Sequence, residues 1–107
     1  MPLLGFNVFH DEVKNGKKRQ TIRKHRKQPI RVGDILYLYW HLRQADCHLL
    51  KTARCTETFT KPWQVLKVSE DIAKRDGFKS ATNMIEWFKK SRSLPDDDDE
   101  LFDVIRW

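Results

Sequence analysis

Leu4, Phe6 and Val8 alternate with other residues along Leu3 to Phe9, which predicts a strand with one apolar face. His10 to Asn15 is short and polar. Asp11 and Glu12 come first and Lys14 last, the charge order a helix dipole favours, and Gly16 is placed to end that helix in a left-handed turn. Gln20 to Arg23 reads as a short strand, Lys24 to Ile30 as a basic loop and Val32-Gly33-Asp34 as a turn. Ile35 to Trp40 is the strongest strand pattern. It is apolar on both faces and is expected at the centre of a closed or covered sheet. Arg43 to Asp46 makes a hairpin connection. Leu49 to Glu57 and Trp63 to Val68 read as two further strands, with Pro62 at the bend between them. Ser69 to Lys74 is a short turn or helix, and Asp76-Gly77-Phe78 breaks the chain. Ser80 then caps a helix from Ala81 to Lys90, whose buried stripe is Ala81, Met84, Ile85 and Phe88, with Trp87 beside it. Pro95 and the acidic run Asp96 to Glu100 form an exposed loop, and Leu101 to Trp107 is the last strand.

The element order is β-α-β-β-β-β-α-β. It predicts an α+β fold in which about six short strands form a small β-barrel with two helices flanking its mouth. The length of 107 residues fits a single domain spanning 1–107, and no repeat or linker divides it. The longest apolar run, Ile35 to Trp40, falls far short of the roughly 20 residues that cross a bilayer. Met1 to Phe6 lacks the basic start and long apolar stretch of a signal peptide. A cytoplasmic monomer with no membrane partner is expected. Cys47 and Cys55 form no CxxC pair and are expected as free thiols, with no metal and no cofactor.

Charge changes the picture. The net charge of +6 conceals an asymmetry: residues 1–94 carry 20 Lys and Arg against 9 acids, while residues 95–107 carry one Arg and six acids. Between residues 14 and 31 stand nine bases and no acid: Lys14, Lys17, Lys18, Arg19, Arg23, Lys24, Arg26, Lys27 and Arg31. Such a cluster concentrates polyanions, of which nucleic acid is the commonest. The acidic run reads as a solvated loop, a contact for a basic partner, or a shield for the basic region.

The most informative segment is Gly16-Lys17-Lys18-Arg19-Gln20-Thr21-Ile22-Arg23, followed by Val32-Gly33-Asp34 before the apolar strand and by Asp76-Gly77-Phe78-Lys79-Ser80 before the helix. This succession resembles the ASCH family: a GxKxxTxR-like element, a "GD" ahead of an apolar strand, and an acidic-Gly-Phe-x-Ser segment ahead of a helix. The resemblance runs over about residues 3–107. It implies a PUA-like barrel with a cleft beside its mouth and a role connected with RNA. One branch of the family hydrolyses the N4-acyl group of N4-acetylcytidine with a lysine, a threonine and a glutamate. The matching positions are Lys18, Thr21 and Asp76, where the aspartate is one methylene shorter than the family glutamate. Other members are linked to ribonuclease or coactivator roles, so the family does not fix one reaction.

Thr21 and Arg23 would share one face of a strand, and Lys18 joins them only if Gly16 to Arg19 is a loop. A desolvated Lys18 would then serve as base or oxyanion partner, Thr21 as nucleophile and Arg23 as anion clamp. The same residues can also hold a phosphate or a base without chemistry. The expected binding set is Lys17, Lys18, Arg19, Arg23, Lys24, Arg26 and Lys27 with Tyr39 and Trp40 at the barrel mouth. Tyr37 and Trp63 are further stacking candidates, and His25 and His41 further phosphate contacts. The leading expectation is a domain that binds RNA or an RNA-derived nucleoside; the alternative is an amidohydrolase for N4-acetylcytidine-type nucleosides. Binding to generic RNA should weaken steeply between low and physiological salt, because phosphate contacts release counterions. A flat titration by fluorescence anisotropy would remove the basis for RNA binding.

Overall fold

The computed structural model describes residues 3–25, 27–90 and 99–107. The first strand, β1 (Leu3–Phe6), stops sooner than its alternation predicts. Phe9 takes a left-handed backbone, φ 63° and ψ 34°, and turns the chain into α1 (His10–Lys14). Gly16 follows at φ 85°, as its position at the helix end requires. β2 (Gln20–Lys24) comes next, then β3 (Ile35–Trp40) and β4 (His48–Arg54) as an antiparallel pair with a register shift between Leu38 and Tyr39.

Among the described residues the strands form two three-stranded sheets and do not close into a barrel. One has the order β1-β3-β4, with β1 parallel to β3. In the other, β6 (Leu101–Arg106) lies antiparallel between β2 and β5 (Glu57–Pro62). β3 is central in its sheet but covered on one face only: Leu36 and Leu38 are fully buried, whereas Ile35 is exposed and Tyr37 and Tyr39 are half-buried. An apolar run thus need not be a two-sided core strand, because tyrosine and isoleucine tolerate partial exposure.

The two sheets meet over one core in which Leu4, Phe6, Leu36, Leu38 and Leu50 pack with Ile105 and Trp107. On the opposite side of β6, Phe102 and Val104 join Ile22 in a second core against the helices. β6 therefore feeds alternate residues to both cores.

The segment read as a strand over Trp63 to Val68 is helical, and the strand read over Leu49 to Glu57 ends at Arg54, with β5 beginning at Glu57. α2 (Trp63–Leu66) starts directly after Pro62, which ends β5. Trp63 and Leu66, three apart, are buried, while Val65 and Val68 are exposed. That is helical spacing; a strand would have buried alternate residues. α3 (Glu70–Arg75) is capped by Ser69, whose hydroxyl accepts from the Ile72 N–H at 3.2 Å. α4 (Ala81–Lys90) is capped by Ser80 as expected, and Glu70 also accepts from the Ala81 N–H through both carboxylate oxygens at 3.2 Å. Four helices are present among the described residues where two were expected.

Cys47 is exposed and Cys55 buried, both as free thiols, and burial pushes the Cys55 thiol up. Among the described residues no helix is long and apolar enough to cross a membrane. Leu66→Ala should cost about 2–5 kcal/mol in chemical denaturation, whereas Val68→Ala should stay within about 0.5 kcal/mol. Equal sensitivity at the two positions would restore the strand.

Candidate functional site

Between Gly16 and β2 the chain is a loop, held where the Lys18 N–H donates to the Glu12 carbonyl at 2.8 Å. This frees Lys18 from strand alternation, and its side chain turns inward to 3% exposure. Its Nζ lies 3.0 Å from Asp76 Oδ2, also donates to the Asp76 backbone carbonyl, and stands 5.1 Å from the centre of the Phe9 ring. Asp76 is the residue that ends α3. Gln20 donates from Nε2 to the Ile72 carbonyl at 2.9 Å and to Asp76 Oδ1 at 3.3 Å, and its Oε1 accepts from Arg106 Nε at 2.9 Å. On the next positions of β2, Arg23 Nε donates to Thr21 Oγ1 at 3.0 Å and Arg23 Nη2 to the Gly5 carbonyl at 2.6 Å, with the guanidinium over Phe6.

Lys18, Thr21, Arg23 and Asp76 line one cleft of about 340 Å³. Its walls are largely aromatic: Phe6, Phe9, Phe78, Trp87, Phe88 and Phe102. Burial pushes the Lys18 ammonium below the ordinary lysine value of 10.5, and the Arg23 charge adds to that; Asp76 opposes both by its charge and hydrogen bond. The wall beside Asp76 depends on Gly77, whose φ is +107° and where a Cβ would sit 3.2 Å from the Phe9 ring. Phe9 itself holds a left-handed backbone, a sparsely populated conformation for a residue other than glycine, and such strain concentrates at functional sites.

Not every expected residue comes to this cleft. Lys24 lines it and pairs with Glu100 at 3.5 Å, so the last acid of the acidic run does reach a base of the cleft. Lys17 and Arg19 open instead on a separate recess of about 390 Å³, shared with Gln20, Glu57, Arg75 and Arg106. Lys27 is exposed and lines neither; Arg26 and Asp96 to Asp98 lie outside the described residues. Tyr39 and Trp40 belong to the first sheet away from the cleft, where Trp40 stacks on His41 at 4.2 Å. Trp63 is core, stacked on Phe88 at 4.8 Å. His25 hydrogen-bonds to buried Asp103 at 2.8 Å.

The residues that sequence reasoning missed are Phe9, Phe78, Trp87 and Gln20. Trp87 had a readable signal, because it sits off the buried stripe of α4 on a helix that follows the Gly77-Phe78 turn. Gln20 had none: its partners are Ile72 and Asp76, far along the chain.

No family model matches the sequence, and no curated protein matches it. Among solved structures, an ASCH domain from Lactobacillus crispatus JV V101 matches 98% of this chain and 77% of its own, with a TM-score of 0.67 and 14% identity. The chain has the ASCH-domain fold. At that identity the likeness is one of architecture, and the two sheets stay open where a closed barrel was expected.

Two measurements check the electrostatics of this ASCH-fold cleft. The Lys18 side-chain nitrogen resonance should titrate below 10.5, and lower still in Asp76→Asn, which removes the opposing charge. Between its lowered folded value and the unfolded one, Lys18 binds fewer protons in the folded state, so stability should rise with pH across that window. The rise should vanish in Lys18→Met; a slope unchanged by that variant would contradict the assignment.

Proposed function

We propose that the cleft binds a single nucleobase with its sugar, as a free RNA-derived nucleoside or as an unpaired residue of RNA. The observation that carries this is the pairing of aromatic walls with a polar floor in one small space. Its volume of about 340 Å³ lies at the small end of ligand pockets and suits one nucleoside. Phe9, Phe78 and Trp87 supply apolar faces for a planar ring. Thr21, Arg23, Lys18 and Asp76 supply donors and acceptors for its edge. The exposed bases outside the cleft, including Lys17, Arg19 and Lys27, add a sequence-independent attraction for phosphates.

A second reading, the amidohydrolase, is favoured by Lys18. A lysine that is buried and pushed down in pKa is a competent base, and Asp76 reaches it at 3.0 Å despite being one methylene shorter than the family glutamate. In that reaction Lys18, once its ammonium has given up a proton, takes the proton of Thr21 Oγ1 as the oxygen attacks the acyl carbon. The bond from that carbon to N4 breaks, and Lys18 returns the proton to the departing N4 amine of cytidine. Water then cleaves the acyl-threonine ester, releasing acetate and restoring Thr21.

Both readings meet one pair of experiments. Nucleosides titrated into isotope-labelled protein should move resonances of Thr21, Phe78 and Trp87, and Trp87→Ala should weaken binding by about 1–3 kcal/mol, some five- to 150-fold. Absence of any shift at millimolar nucleoside would sink the binding proposal. Incubation with N4-acetylcytidine should yield cytidine and acetate if the amidohydrolase reading holds, with turnover abolished in Thr21→Val while binding survives. No cytidine at high protein concentration leaves binding alone. Cytidine release that persists in Thr21→Val would instead make Lys18 the activator of a water.

A further inference from the structure

Outside the cleft, the first residue of α1 and the first residue of β4 bring two imidazoles together. His10 and His48 meet Nε2 to Nε2 at 3.1 Å. The other nitrogen of each ring is engaged. His10 Nδ1 donates to Asp11 Oδ1 at 2.9 Å, and His48 Nδ1 donates to the Asp46 carbonyl at 3.1 Å. A carboxylate and a carbonyl accept only, so each Nδ1 must carry its ring's proton. In two neutral rings both Nε2 atoms are then lone pairs, and they point at one another. Two acceptors at that distance repel. A cation between them converts the repulsion into two bonds.

The arrangement has the form in which metal-binding histidines occur: one ring nitrogen held by a carboxylate or backbone carbonyl, which fixes the tautomer, and the other free to ligate. The spacing agrees. Two nitrogens each 2.0–2.1 Å from a tetrahedral cation stand about 3.3 Å apart, within a few tenths of an ångström of the contact observed. The Trp40 ring packs against His10 at 4.9 Å and helps fix its plane. The Asp11 carboxylate places negative charge beside the His10 ring, while the Asp46 carboxylate bonds to His41.

We infer that His10 and His48 form a two-histidine site for a first-row divalent cation of the imidazole-preferring class, represented by Zn²⁺ and Cu²⁺. Among the described residues no group of three histidine, cysteine, aspartate or glutamate side chains is gathered for a metal. The remaining coordination positions therefore go to water or to an external ligand, and the site is open rather than closed. The cation would clamp α1 to β4 beside Phe9, whose ring lies under Lys18, so occupancy would stiffen one wall of the cleft.

The test uses the full chain freed of any affinity tag. Calorimetric titration with Zn²⁺ should show one site per chain, and Zn²⁺ should raise the melting temperature by binding the folded state. His10→Ala and His48→Ala should each abolish both effects; Asp11→Asn, which loosens the His10 tautomer, should weaken binding about tenfold; His25→Ala should change nothing. Because a variant can perturb α1, the unmodified protein gives an independent reading: its Cu²⁺ electron paramagnetic resonance should carry couplings from two imidazole nitrogens. No binding to the wild type, or binding kept in both histidine variants, overturns the site. So does a shared proton alone, seen as ring nitrogens that titrate with pH and do not respond to Zn²⁺.

Discussion

The ammonium of Lys18 sits 3% exposed beside a carboxylate that is nearly as hidden, and the rest of the site is arranged around that pair. Burying either charge alone would cost several kcal/mol, and burying both is tolerable only when geometry and extra hydrogen bonds compensate. Here Lys18 donates to two groups of one residue, the carboxylate and the backbone carbonyl of Asp76. Gln20 braces the other carboxylate oxygen and is itself held by Arg106. For Asp76 to offer both groups, α3 must end there. Gly77 then turns the chain at a positive φ, and Phe78 returns edge-on to Phe9 at 5.5 Å. The apolar wall of the cleft is thus a consequence of how the charges at its floor are satisfied.

β6 supplies the second constraint. Lying between β2 and β5, it sends Ile105 and Trp107 into the core between the sheets and Phe102 and Val104 into the core beneath the helices. β2 is fixed in register against it, with Thr21 opposite Ile105 and Arg23 opposite Asp103. Thr21 and Arg23 therefore stand on a strand with little freedom to move, as a binding or catalytic constellation needs. Lys18, in contrast, comes from a loop whose position is set by the Glu12 carbonyl and the Gly16 turn.

α1 connects the two chemical features of the molecule. Its last turn leads through Gly16 to Lys18, and its first residue is His10, in contact with His48. A cation at the histidine pair and a ligand in the cleft would both act on Phe9, which begins this short helix and forms part of the cleft wall. Five-residue helices have little stability of their own, so contacts at both ends govern where α1 sits.

Local signals were enough for the elements whose residues interact with near neighbours. The Gly16 turn, the turn at Gly33, the Ser80 cap and stripe of α4, and the strand over Ile35 to Trp40 follow from spacing and from residues with special backbone freedom. The succession of GKKRQTIR, VGD and DGFKS carried the resemblance to the ASCH fold, and it brought Lys18, Thr21, Arg23 and Asp76 together as candidates before any coordinates. The short helix after Pro62 was not legible, since a run of Trp, Val, Leu and Val fits a strand until burial separates Trp63 and Leu66 from Val65 and Val68. Nor was barrel closure, which depends on hydrogen bonds between strand edges that no sequence pattern encodes. Neither could a block of nine bases reveal that Lys17 and Arg19 would face a different recess from Lys18. The Gln20 brace and the His10–His48 pair join residues 56 and 38 positions apart, so only the tertiary structure, by packing α1 on β4 and β2 on α3, decided that they would touch.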